Sequence, residues 1–239
     1  MSGVLGPVPA GDDEAAVLHY FDGRGHGERV RYALAAGGVR WRERALRAPG
    51  DVDAVRARCA FGQVPLLEMP RGGPRLVQSY AIVRFLGAAH GPPPPPGEEW
   101  RADAALEQVR DFVADAGLVG FGWQTEATER SAALERVRAS AARYVPTFER
   151  ALEAGDGFVA GGAGASWADY QLLFALDYAC ELLGEAQALG AAPRCAALRT
   201  ALRAEPRMVD FYATRAKGLV TERYMQEVRA AQLPKGEGE

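Results

Sequence analysis

The sequence predicts a two-part chain, a small α/β unit of order β-α-β-α-β-β-α followed by a larger all-helical unit. Three observations carry this reading. Residues 17–90 alternate short β-type runs with helical ones, punctuated by glycine and proline. Five consecutive prolines, residues 92–96, then supply a semi-rigid spacer. Beyond them the long segments follow helical periodicity and no strand-type run appears.

Residues 1–16 are rich in Gly, Pro and acid and are expected to form a flexible tail. Residues 17–21 (VLHYF) read as the first strand, broken by the three glycines of DGRGHGE. Residues 29–37 read as a helix that stops at Gly37-Gly38. Residues 39–46 alternate as a half-exposed strand, and residues 66–69 and 75–77 flank Arg71-Gly72-Gly73-Pro74 as a hairpin. Residues 79–89 read as a helix that ends this unit near 90, before a linker at 91–99. The helical unit is expected over 100–215, with helices at 100–122 and 126–154, one after Ser166 and one near 193–203. Residues 216–239 are expected to be a tail or a lid helix, with Tyr224, Met225 and Val228 on its apolar face.

Composition bounds the function. At 239 residues, 48% apolar and 25% charged, the chain has the balance of a globular protein with a sizeable core. A net charge of −3 speaks against nucleic-acid binding, which needs a basic face. No apolar stretch approaches the ~20 residues that span a bilayer, so no membrane role is expected. The first residues lack the basic start and apolar core of a signal peptide. Cys59, Cys180 and Cys195 form no CxxC spacing and cannot all pair, so the setting is read as reduced and cytoplasmic; no metal and no cofactor are expected.

Pro65 stands directly before the apolar pair Leu66-Leu67, where a sheet has no use for a residue without an N–H. Gln78-Ser79 follows a strand and opens a helix, with Ser79 as a suitable N-cap. Ser166-Trp167-Ala168-Asp169 has the capping-box pattern. These fall within five stretches that occur in order: LHYFDGRG, ERVRYALAAGGV, FGQVPLLE, LVQSYAIVRFL and SWADY. Together they resemble the cytosolic glutathione S-transferases of the tyrosine type, alpha- or sigma-like, over residues 17–215.

The resemblance implies a thioredoxin-like N-terminal domain and an all-α domain, with glutathione as co-substrate and a homodimer as the assembly. It implies a cis Val64-Pro65 bond, the only kind of bond at which cis is affordable. Val64 then offers its backbone to the cysteinyl part of glutathione as an added strand would. Tyr20, at the end of the first strand, is expected to donate a hydrogen bond to the sulfur. That favours the thiolate, which is the nucleophile. His26 stands where alpha and sigma relatives keep an arginine. A neutral imidazole there donates a hydrogen bond and a protonated one restores the charge, so His26 is expected to make activity pH-sensitive. Arg24 is expected to be an ion-pair residue of the scaffold.

Ser79 and Gln78 are expected to hold the γ-glutamyl carboxylate, at the start of a helix where free N–H groups attract anions. Arg56, spaced from FGQVP as in the sigma pattern, is expected to bind the glycyl carboxylate, with Arg58 two residues on, and Gln63 and Pro65 of FGQVP are expected to belong to the glutathione-binding residues. Asp115 and Arg143 match positions that reach the partner subunit's glutathione. A pocket for a small apolar electrophile is expected between the domains, walled by Phe21, residues 118–123 and the C-terminal region. The leading reading is a transferase acting on apolar electrophiles. The alternatives are a glutathione-dependent isomerase and a non-catalytic binding or structural member. A disulfide reductase is disfavoured, because no cysteine lies near the end of the first strand.

Overall fold

The computed structural model describes residues 14–119 and 127–214. Its N-terminal part is β1 (Ala16–Tyr20), α1 (Gly25–Ala36), β2 (Trp41–Ala45), α2 (Pro49–Arg56), β3 (Leu66–Glu68), β4 (Arg75–Val77) and α3 (Ser79–His90). This is the order read from the sequence. The four strands form one sheet in the order β2-β1-β3-β4. β1 runs parallel to β2, with Tyr20 opposite Ala45, and antiparallel to β3, with Leu18 opposite Leu67. β3 and β4 form the hairpin, and its turn uses Arg71 and Gly72 at positive φ.

Leu18, Leu66 and Leu67 are fully buried in the sheet, against Val30 and Leu34 of α1 and Ile82 and Leu86 of α3. The last two pairs are four apart, the helical spacing that lays an apolar stripe on a sheet. α1 begins four residues before the sequence reading placed it. The glycines looked like breakers, but Gly25, with φ +42°, opens the helix and Gly27 sits in its first turn beneath the Tyr20 ring. A side chain at 27 would meet that ring. Its Cβ would lie 2.8 Å from Tyr20 Cγ.

The helical part comprises α4 (Glu99–Asp115), α5 (Ala127–Ala154), α6 (Trp167–Leu183), α7 (Glu185–Leu189), α8 (Pro193–Arg203) and α9 (Pro206–Thr214). α4 stops seven residues short of the expected 122, where Gly117 takes φ +64°. α7 and α9 were not foreseen. α6 is the central helix, buried along most of its length. Its capping box is formed as the sequence predicts, with Asp169 accepting from the N–H of Ser166 and of Val159, each at 2.8 Å.

α6 also joins the two parts. The rings of Tyr32 and Phe174 meet edge to face at 5.6 Å, and Trp167 packs onto Gly87 of α3. Arg24, buried, pairs with Glu181 and lies 3.9 Å from Glu28, so it is the scaffold residue that the sequence suggested. The expected tail or lid at 216–239 lies outside the described residues.

Candidate active site

A cleft of about 410 Å³ opens where the end of β1 and the start of α1 face α4. Such a volume suits a small organic molecule. Tyr20 and Phe21 form one wall with their rings edge to face at 5.3 Å. Val113 and Ala114 of α4, with Val119 just beyond it, form the opposite wall. The apolar pocket expected between the domains is therefore present, bounded by Phe21 and Val119. The remainder of its expected wall, residues 120–123 and the C-terminal region from 215, lies outside the described residues.

Tyr20 is held by its neighbours. It ends β1, its ring rests on Gly27, and its Oη accepts a 2.9 Å hydrogen bond from the backbone N–H of His26. A phenol that accepts from an N–H keeps one O–H to donate, and accepting strengthens that donor. His26 thus serves Tyr20 through its backbone. Its imidazole lines the cleft with an exposed edge. Desolvation by the cleft walls, then the charge of Arg29, lower its pKa to about 4. The side chain is uncharged at neutral pH.

The Val64-Pro65 bond is cis, as the sequence predicts. Val64 stands two residues before Leu66, the first residue of β3, which pairs with Val77 of β4. Gln78 adopts φ +67° immediately before α3, a backbone conformation that non-glycine residues adopt mainly where function or packing demands it. It takes the cap position that Ser79 was expected to hold. Ser79 is instead the first helical residue, buried, and presents the N-terminal turn of α3. The side chain of Gln78 donates to Gln63 at 3.0 Å, so the structure brings these two together.

Arg56 and Arg58 have separate surroundings. Arg58 pairs with Glu68, which also meets His19 and Arg75. Arg56, at the end of α2, is half-buried, and its Nε has no hydrogen-bond partner among the described residues. Asp115 and Arg143 lie apart from the cleft wall. They pair with each other at 3.0 Å on an exposed face of α4 and α5. Cys59 is buried, its Sγ donating to the Val55 carbonyl at 3.2 Å, and burial pushes its pKa up. It is a packing residue.

The cleft also contains residues that sequence reasoning missed: Arg29 of α1, Tyr80 of α3 and Arg110 of α4. The spacing of Arg29, three residues after His26, puts both on one face of α1 and was the available signal.

Residues 16–88 match the family model described as the glutathione S-transferase N-terminal domain, and residues 116–215 match the corresponding C-terminal domain. Glutathione S-transferase alpha-3 of Rattus norvegicus is 32% identical over 200 residues, covering 82% of this chain and 87% of the relative. Glutathione S-transferase A1 of Bos taurus is 33% identical over 171 residues, covering 69% and 74%. The solved glutathione S-transferase of Ascaris lumbricoides superposes with a TM-score of 0.71 at 28% identity, over 86% of this chain and all of that one. The sigma-class enzyme of Fasciola hepatica shares the fold, with a TM-score of 0.71 at 20% identity, covering 87% of this chain and 100% of that one.

Proposed function

The chain belongs to the glutathione S-transferase family, and from that premise we propose that Tyr20 is the residue through which it activates the glutathione thiol. The protein is a transferase. The observation that supports Tyr20 in this role is its hydrogen bond from the His26 backbone, in the wall of an apolar cleft. A free thiol of pKa ~8.5 is only a few per cent ionised at neutral pH. Donation from the Tyr20 hydroxyl favours the ionised form. The sulfur lone pair then forms a bond to the electrophilic carbon, the leaving group departs with its bonding electrons, and the thiol proton passes to water.

In this reading glutathione lies along the edge presented by Val64. Its γ-glutamyl carboxylate faces the N-terminal turn of α3 at Ser79, with Gln78 and Gln63 alongside. Its glycyl carboxylate meets Arg56, whose Nε has no hydrogen-bond partner among the described residues, whereas Arg58 pairs with Glu68. Asp115 and Arg143 belong to the proposal as a paired, exposed contribution to the partner subunit's site in a homodimer. The cleft, with Phe21, Val113 and Val119, takes a small apolar electrophile. A reducing, cytoplasmic setting fits Cys59, Cys180 and Cys195, which are buried as thiols. Among the described residues no helix is long and apolar enough to cross a membrane. The isomerase and the non-catalytic member draw no support from the relatives, which are named transferases.

The test is calorimetric titration with glutathione together with its consumption in the presence of chlorodinitrobenzene. Binding with turnover supports conjugation. Binding without consumption of glutathione by any electrophile offered would contradict it.

A further inference from the structure

Arg29 is 1% exposed, yet its Nε, Nη1 and Nη2 have no hydrogen-bond partner among the described residues. Its guanidinium is sandwiched by rings, 3.8 Å from the centroid of Tyr80 and 5.3 Å from that of Phe174. It lines the same cleft as Tyr20. Ring faces attract a cation but do not satisfy its N–H groups. A buried charge without a counter-ion is destabilising, and burial accordingly lowers the pKa of Arg29 to about 9, against opposing contributions from Tyr20 and Tyr178.

The other cations near it are engaged. Arg24 pairs with Glu181, Arg31 with Glu43 at 2.8 Å and with Glu28 at 3.1 Å, and Arg110 with Glu107 and Asp111. The titratable groups that face Arg29 are Tyr20 from β1, His26 from α1, Tyr80 from α3, Arg110 from α4 and Tyr178 from α6. His26 is uncharged, and burial holds Tyr178 as the neutral phenol. No carboxylate is among these groups.

We propose that Arg29 supplies the positive charge that holds bound glutathione as its thiolate, and that the sulfur is the counter-ion its guanidinium does not find among the described residues. This rests on the reading of Tyr20 as the thiol's hydrogen-bond donor. Tyr20 contributes one directed bond, and Arg29 contributes charge across a desolvated cleft, where an opposite charge acts strongly on ionisation. The charge sought at position 26 is supplied one turn further along the same helix.

The experiment titrates the ultraviolet absorbance of the glutathione thiolate bound to wild type, Arg29→Met and Arg29→Lys. Arg29→Met removes an unpaired buried charge and fills its space, so the variant is expected to fold. Its bound thiol should titrate about one pH unit or more higher, a roughly tenfold loss of thiolate on the acid side. Arg29→Lys should recover part of the shift. A thiol pKa unchanged in Arg29→Met, with a raised KM for carboxylate-bearing electrophiles alone, would assign the guanidinium to a substrate anion and overturn the proposal. A wild-type thiol that titrates as it does in free glutathione would overturn both this inference and the thiolate role of Tyr20.

Discussion

The backbone N–H of His26 lies 2.9 Å from Oη of Tyr20 and donates to it. The start of α1 therefore fixes the phenol, and any change that moves this first turn moves the proposed sulfur donor. The identity of side chain 26 matters less than the path of its backbone.

Gly27 is the residue most sensitive in this respect. A methyl group there would overlap the Tyr20 ring, with Cβ 2.8 Å from Cγ. Gly27→Ala is expected to shift the ring and lower kcat/KM by about 10- to 100-fold, the scale of a small misplacement of a reacting group. Steady-state kinetics with circular dichroism checks this. A variant with native spectrum and native kcat/KM would show that the ring has room.

The imidazole of His26, with a pKa near 4, is neutral down to mildly acid pH and gains charge only as pH falls through that value. His26→Ala is therefore expected to keep the same pH–rate profile above about pH 5. A group titrating near its ordinary 6.5 would instead leave an inflection that the variant loses. Rate profiles of the two proteins decide between these.

Arg56 and Arg58, two residues apart, should separate in their effects. Arg56→Ala is expected to raise KM for glutathione by about tenfold or more, the loss of a charge-assisted bond of ~1.5–3 kcal/mol. Arg58→Ala should leave KM near wild type, because its guanidinium is committed to Glu68. Equal effects on KM would remove the distinction.

Much of this was legible because it is local. The alternation around β1, the Arg71-Gly72 turn and the apolar spacing of α3 are short-range patterns. The cis bond at Pro65 was legible only through the resemblance, since most X-Pro bonds are trans. The start of α1 was misread because Gly25 and Gly27 resemble breakers, and only the distant Tyr20 ring shows why a small residue is needed there. Arg29 was invisible for a related reason. In a chain with 28 basic residues, nearly all arginine, one more on a helix looks like a solvated charge. Tyr80 and Phe174, far along the chain, bury it. The buried carboxylate of Asp177 is similar. It gathers Tyr32 of α1 at 2.7 Å and Arg199 and Arg203 of α8 at 2.8 Å, from two segments far apart in the chain.

The join between the two parts has its own tight point. A Cβ at Gly87 would lie 2.6 Å from Cγ and Cδ2 of Trp167. Alanine favours a helix over glycine by ~1 kcal/mol, but overpacking costs ~1–3 kcal/mol, so the clash should win. Gly87→Ala is expected to lower Tm by a few degrees, about 2–4 °C for each net kcal/mol. A raised Tm in thermal unfolding would mean that Trp167 yields freely.

The most direct measurement is the rate of chlorodinitrobenzene conjugation across pH for wild type and Tyr20→Phe. Phenylalanine keeps the ring on Gly27 and removes only the hydroxyl. Loss of one hydrogen bond to a charged sulfur should lower kcat/KM by about 10- to 100-fold. It should also move the acid limb of the profile to higher pH, because the thiol then ionises less readily. An unchanged rate with an unchanged acid limb would contradict Tyr20 as the group that holds the thiolate.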